Sequence, residues 1–111
     1  MDNIKNDAYY LGKIIEYINF SIEHLNEVTL KEFEEDEVLT NAIMFSFIQI
    51  SENSSKLSDK YRFEHPEVAW NQIKGIRNKI VHNYEVVQAS IVYDTVINDF
   101  PVLLKQLGNC M

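Results

Sequence analysis

Three side chains within one run of eight residues have the types and spacing to do chemistry together. The stretch RNKIVHNY, residues 77–84, holds Arg77, His82 and Tyr84, with Lys79 inside it and Lys74 just before it. A guanidinium offers a planar fork of N–H donors that fits a phosphate. An imidazole exchanges protons near neutral pH. The charge of the chain is distributed around this stretch. Residues 70–84 carry the three basic groups Lys74, Arg77 and Lys79 and no acid, whereas residues 1–69 carry 6 basic and 14 acidic groups. Residues 85–111 add 1 basic and 3 acidic groups, for a formal net charge of -7. That total argues against a general nucleic-acid binder. The one basic segment could still draw phosphate locally while the remaining surface repels it.

The elements that must position these residues read as helices. A chain of 111 residues, taken as residues 1–111, is one domain by size. Only 3 Gly and 2 Pro interrupt it, which favours an all-α fold. The first helix is predicted over about residues 4–27: Ile4, Ala8, Leu11, Ile15, Ile18, Ile22 and Leu25 make one apolar stripe, widened by Tyr10, Ile14 and Tyr17. Thr29 reads as the N-cap of a short turn, TLKEF. A second helix, capped by Asp36, covers about 36–58 and is apolar over much of its surface through Ile43, Phe45, Phe47, Ile48 and Ile50. Such a helix is either central or lies at a subunit contact. Residues 58–67, SDKYRFEHPE, read as a polar loop, with His65 solvated and Pro66 opening a third helix over about 66–83. The fourth helix covers about 88–108, is capped by Gly108 and is kinked near Asp99, because Pro101 removes a backbone donor. The sum is an antiparallel bundle of four main helices. The single cysteine, Cys110, allows no disulfide framework and no Cys-based metal site within one chain. The N-terminus lacks a signal-peptide layout and no apolar run could span a membrane, so a cytoplasmic protein is expected.

On an ideal wheel with Trp70 at zero, Val81, Tyr84, Ile73, Ile80 and Ile76 fall between about 20° and -120°, and Arg77 falls near -20°, among them. An unpaired guanidinium there would cost several kcal/mol, on the order of a small domain's whole stability. Arg77 must therefore meet a carboxylate, open into a cleft or lie at a subunit contact. Glu52, on the second helix, is its natural partner. The plain alternative is a buried Arg77–Glu52 ion pair with no other role. His82 falls near 120° on the same wheel, about 140° from Arg77. Either the last turn re-aims the ring, or two subunits line one cleft; Gly75 would admit a second backbone. Taken alone, His82 also suits a helix C-terminus, where the dipole favours a cation.

Arg77, His82 and Tyr84 spell R-x4-H-x-Y, which resembles the signature of HEPN-superfamily proteins of the HepT type, toxins encoded beside a minimal nucleotidyltransferase antitoxin. The similarity continues through residues 48–84, with Trp70 and Gly75 at fitting offsets, and through VINDFPVLLKQL, residues 96–107. After Tyr84 the usual aromatic, glycine and aspartate are replaced by Glu85, Val86 and Gln88.

The resemblance implies a metal-independent endoribonuclease acting as a homodimer, with the two motif helices around a shared cleft and with no cofactor or metal. His82 would be the general acid or base and Arg77 the phosphate clamp, with Tyr84, Asn78 and Lys79 supporting the RNA substrate. It further implies neutralisation by the partner nucleotidyltransferase, which would transfer AMP to Tyr84. Two other readings stand beside it: a non-catalytic binding subunit of a nucleotidyltransferase complex, and a structural four-helix dimer built on the Arg77–Glu52 pair.

Overall fold

The computed structural model describes residues 6–81 and 89–110. Among these the fold is all-helical, without a strand. Helix α1, Asp7–Leu25, starts where the Asn6 side chain accepts the Tyr9 N–H. It buries Leu11, Ile14, Ile18, Ser21 and Leu25, so the apolar stripe centres on Ile14 rather than Ile15. Helix α2, Leu30–Glu35, is capped by Thr29 as expected, and the cap is a full capping box: the Thr29 hydroxyl takes the Glu32 N–H, and the Glu32 carboxylate takes the Thr29 N–H. Asp36 closes α2 and caps α3, Glu37–Ser55, through the Leu39 N–H.

Residues 58–67 are not a plain loop. A short helix α4, Asp59–Glu64, forms there because Ser58 caps it on the Tyr61 N–H. Ser58 itself is tied to the start of α1, its N–H and hydroxyl each 2.8 Å from the Asp7 carboxylate. His65 is half-buried rather than solvated, its ring against Tyr61 with centroids 4.4 Å apart.

The expected long third helix is broken. Helix α5 spans Trp70–Lys74 and α6 spans Asn78–Val81; residues 82 and 83, where that helix would end, lie outside the described residues. The break has a definite cause. In a continuous helix the Arg77 N–H would bond to the Ile73 carbonyl. Here the Ser51 hydroxyl of α3 stands between them: it donates to the Ile73 oxygen at 3.3 Å and accepts the Arg77 N–H at 2.9 Å. A side chain inserted into a helical ladder is a recognised cause of a kink. The chain continues with tighter rungs, Asn78 to Gly75, Lys79 to Ile76 and Ile80 to Arg77, at 3.0, 3.0 and 3.1 Å.

The C-terminal helical stretch runs through α7, Ala89–Asp94, a π-helical segment, Thr95–Asp99, and α8, Phe100–Gly108. The wide rungs lie just ahead of Pro101, which has no N–H to donate. Gly108 is the last helical residue and Asn109 the cap. The core joins α1 and α3, which pack along one another, to the C-terminal stretch and α5. Ile14, Ile18, Phe47, Ile50, Ile73, Ile76, Phe100, Leu103 and Leu107 are fully or almost fully buried in it. Phe47 and Phe100 meet with ring centroids 5.2 Å apart.

Removing the inserted hydroxyl tests the break. Ser51→Ala is expected to lower unfolding free energy by about 1–3 kcal/mol, the cost of leaving a buried backbone group unpaired, while Ser55→Ala on the exposed side changes it little. Phe100→Ala should cost about 3–5 kcal/mol. Urea denaturation followed by circular dichroism reads all three, and equal midpoints for the two serine variants would contradict the account.

Candidate functional site

Beside the α5–α6 break lies an open cleft of about 440 Å³. One wall is the end of α3, with Ser51, Glu52 and Ser55; the other is the broken helix, with Asn71, Lys74, Gly75, Arg77 and Asn78. Its rim holds two cations against one carboxylate, in a protein whose net charge is -7.

Arg77 does not sit in the core face as the wheel predicts. Its side chain is 49% exposed, and that of Glu52 50%. The wheel assumes one continuous helix, whereas the break re-aims the chain after Gly75. The core is instead filled by Ile73, Ile76 and Ile80, which centre near -90° on the same wheel, leaving Arg77 at its border. Glu52 is the carboxylate that faces it, as the sequence suggests, but the pair is not buried. The closest approach, Arg77 Nη1 to Glu52 Oε2, is 3.9 Å, beyond hydrogen-bond length. Among the described residues the guanidinium makes no hydrogen bond, so its donors face the cleft. The backbone beneath it is held by Ser51. The arrangement is a fixed root with an open cationic head, suited to an anion that brings several acceptor oxygens.

Asn78 also lines the cleft, while Lys79, half-buried on α6, does not. His82 and Tyr84 lie outside the described residues. Gly75 has an ordinary φ of -84°. Among the described residues, a Cβ added there would meet nothing closer than the Asn71 carbonyl oxygen at 3.4 Å, so none of them requires a glycine at this position.

Sequence reasoning missed Ser51 and left Lys74 and Asn71 out of the site. The available signal for Ser51 was its position. It lies one turn after Phe47 and beside Ile50, where an apolar side chain would serve the core, so a polar residue there needs a buried partner.

The family model described as "Ribonuclease HepT-like" matches residues 14–109. The "Putative RNase TTE0752" of Caldanaerobacter subterraneus is 33% identical over 94% of this chain and 93% of its own length. The "Putative RNase MJ0127" of Methanocaldococcus jannaschii is 29% identical over 93% of this chain and 85% of its own. The "Probable ribonuclease HepT" of Thermococcus cleftensis is 29% identical over 85% and 86%. No solved structure matches. With a family match over most of its length, this chain belongs to the HepT-like ribonuclease family.

Proposed function

We propose that the protein is the toxin of a toxin–antitoxin module, a metal-independent endoribonuclease whose active site is shared by two copies of the chain. The observation that carries this reading is the state of Arg77: half-exposed at the break of a helix, rooted by Ser51, lining a cleft, and 3.9 Å from Glu52 with no side-chain hydrogen bond among the described residues. A purely structural arginine would be expected to close on Glu52.

The chemistry follows from the residue types. His82 takes the proton of the RNA 2′-OH, and the 2′ oxygen attacks the adjacent phosphorus. A bond forms from the 2′ oxygen to phosphorus, and the bond from phosphorus to the 5′ oxygen breaks. The leaving oxygen takes a proton from an imidazolium, and a 2′,3′-cyclic phosphate remains. Arg77 holds the non-bridging oxygens and stabilises the charge that builds on them. Lys74 adds positive charge to the rim, and Asn78 and Lys79 support the substrate together with Tyr84.

Sharing between two chains is supported by α3. Phe45 and Ile48 are 53% and 38% exposed, and helical spacing puts them on the side of α3 that carries Glu52 and Ser55. An apolar strip running into the cleft suits a second copy better than solvent. Gly75, which none of the described residues requires to be a glycine, would let that copy approach closely. A dimer built there would bring two basic segments together and could place His82 of one chain opposite Arg77 of the other. Control would come from a minimal nucleotidyltransferase that transfers AMP to Tyr84. The added negative charge would compete with RNA for Arg77 and Lys79. In the alternative reading, a non-catalytic subunit, the same cleft docks the nucleotidyltransferase; Glu85, an acid directly after Tyr84, favours it.

Single-stranded RNA incubated with purified protein and EDTA should be cut to cyclic-phosphate ends. Both His82→Ala and Arg77→Ala should abolish cutting. Arg77→Ala should shift unfolding free energy by less than about 1 kcal/mol, since an exposed ion pair is worth little. Intact RNA with unmodified wild type would overturn the catalytic reading in favour of the binding subunit.

Phe45→Glu should yield a folded monomer by light scattering, with cleavage reduced about a hundredfold or more, on the order of one lost well-placed catalytic group. A fully active monomer would refute the shared site. Mass spectrometry after co-expression with an active nucleotidyltransferase should place AMP on Tyr84, and an unmodified Tyr84 would remove that mode of control.

A further inference from the structure

The loop between α4 and α5 and the turn after α8 bring three unlike metal-binding side chains together. The ligand atoms of His65, Glu67 and Cys110 all lie within 4.8 Å of one another. His65 Nδ1 is 3.4 Å from Glu67 Oε2, and Cys110 Sγ is 3.5 Å from the same oxygen. In a tetrahedral zinc site with bonds of about 2.0–2.3 Å, neighbouring ligand atoms stand about 3.3–3.8 Å apart. Two of the three edges already have that length, and the third needs only a small side-chain motion.

The surroundings hold the three groups in place. The His65 ring packs on Tyr61, and the His65 carbonyl accepts the Trp70 indole N–H at 2.9 Å. Gln106, on α8, receives the Ala69 N–H at 3.1 Å, while its own carbonyl lies 3.8 Å from Cys110 Sγ. The loop and the C-terminal turn are thus fastened on both sides of the trio. His65 and Glu67 side chains are 25% and 43% exposed, so an ion can enter. Burial, and then the facing Glu67 carboxylate, push the Cys110 thiol up to about 11.

We propose that His65 Nδ1, the Glu67 carboxylate and Cys110 Sγ bind one thiophilic divalent cation, best matched by Zn2+, as a clip between the α4–α5 loop and the C-terminal turn. One thiolate, one imidazole and one carboxylate suit zinc better than magnesium or calcium, which prefer oxygen alone. The thiol proton passes to solvent as the sulfur–metal bond forms. Water completes the fourth position. A single cysteine binds such an ion poorly by itself, but the fold adds the other two ligands. None of the three lines the Arg77 cleft, so the clip is independent of RNA cleavage.

The test is a Co2+ titration of the reduced, metal-free full chain, followed by Zn2+ displacement. A thiolate-to-cobalt charge-transfer band should grow to saturation at one ion per chain and vanish when Zn2+ is added. Cys110→Ser should lose the band. His65→Ala and Glu67→Gln should each weaken Zn2+ binding at least tenfold, about the lower bound for perturbing a metal site, with wild-type circular dichroism. Absence of the band in wild type, its survival in Cys110→Ser, one ion per two chains, or unchanged affinity in His65→Ala would each overturn the proposal.

Discussion

The hydroxyl of Ser51 is the contact on which the rest of the site depends. It replaces one rung of a helix, accepting the N–H of Arg77 and donating its own O–H to the carbonyl of Ile73. Because that rung is broken, α5 ends at Lys74 and the chain turns before α6. Because the chain turns, Ile76 and Ile80 keep the core while Arg77 leaves it. The same hydroxyl anchors the arginine's backbone to α3, the helix that supplies the opposite wall of the cleft.

Helix α3 therefore has three duties on three sides. Ile43, Phe47 and Ile50 fill the core, Ser51 breaks the neighbouring helix, and Phe45, Ile48 and Glu52 face outward. This division explains why α3 reads as apolar nearly all round, although part of its apolar surface meets solvent in a single chain. Of the ten Lys and Arg side chains, Lys74, Arg77 and Lys79 fall together in the one segment without an acid, and hydroxyls and amides line the cleft beside it.

The local signals were legible. Thr29 and Asp36 are caps because their side chains reach backbone donors three residues on, and such contacts are written in neighbouring residues. The all-helical class followed from scarce glycine and proline, and the Arg77–Glu52 facing was found from the charge on α3. What was not legible was tertiary. Ser51 acts on residues 22 and 26 positions away, so a wheel drawn for an unbroken helix placed Arg77 in the core and the ion pair in the interior. Residues 58–67 were read as a solvated loop from composition. The Ser58 cap and the Tyr61 ring instead give a helix and a half-buried His65.

The central claim is that Arg77 grips an RNA phosphate. It is tested most directly by measuring RNA affinity against salt concentration in a cleavage-dead His82→Ala background, with and without Arg77→Ala. Loss of one phosphate contact on single-stranded RNA should reduce the slope of log affinity against log salt by about 0.7, together with a clear fall in affinity. An unchanged slope and affinity after removal of the guanidinium would show that the arginine does not meet the phosphate, and the account would fail.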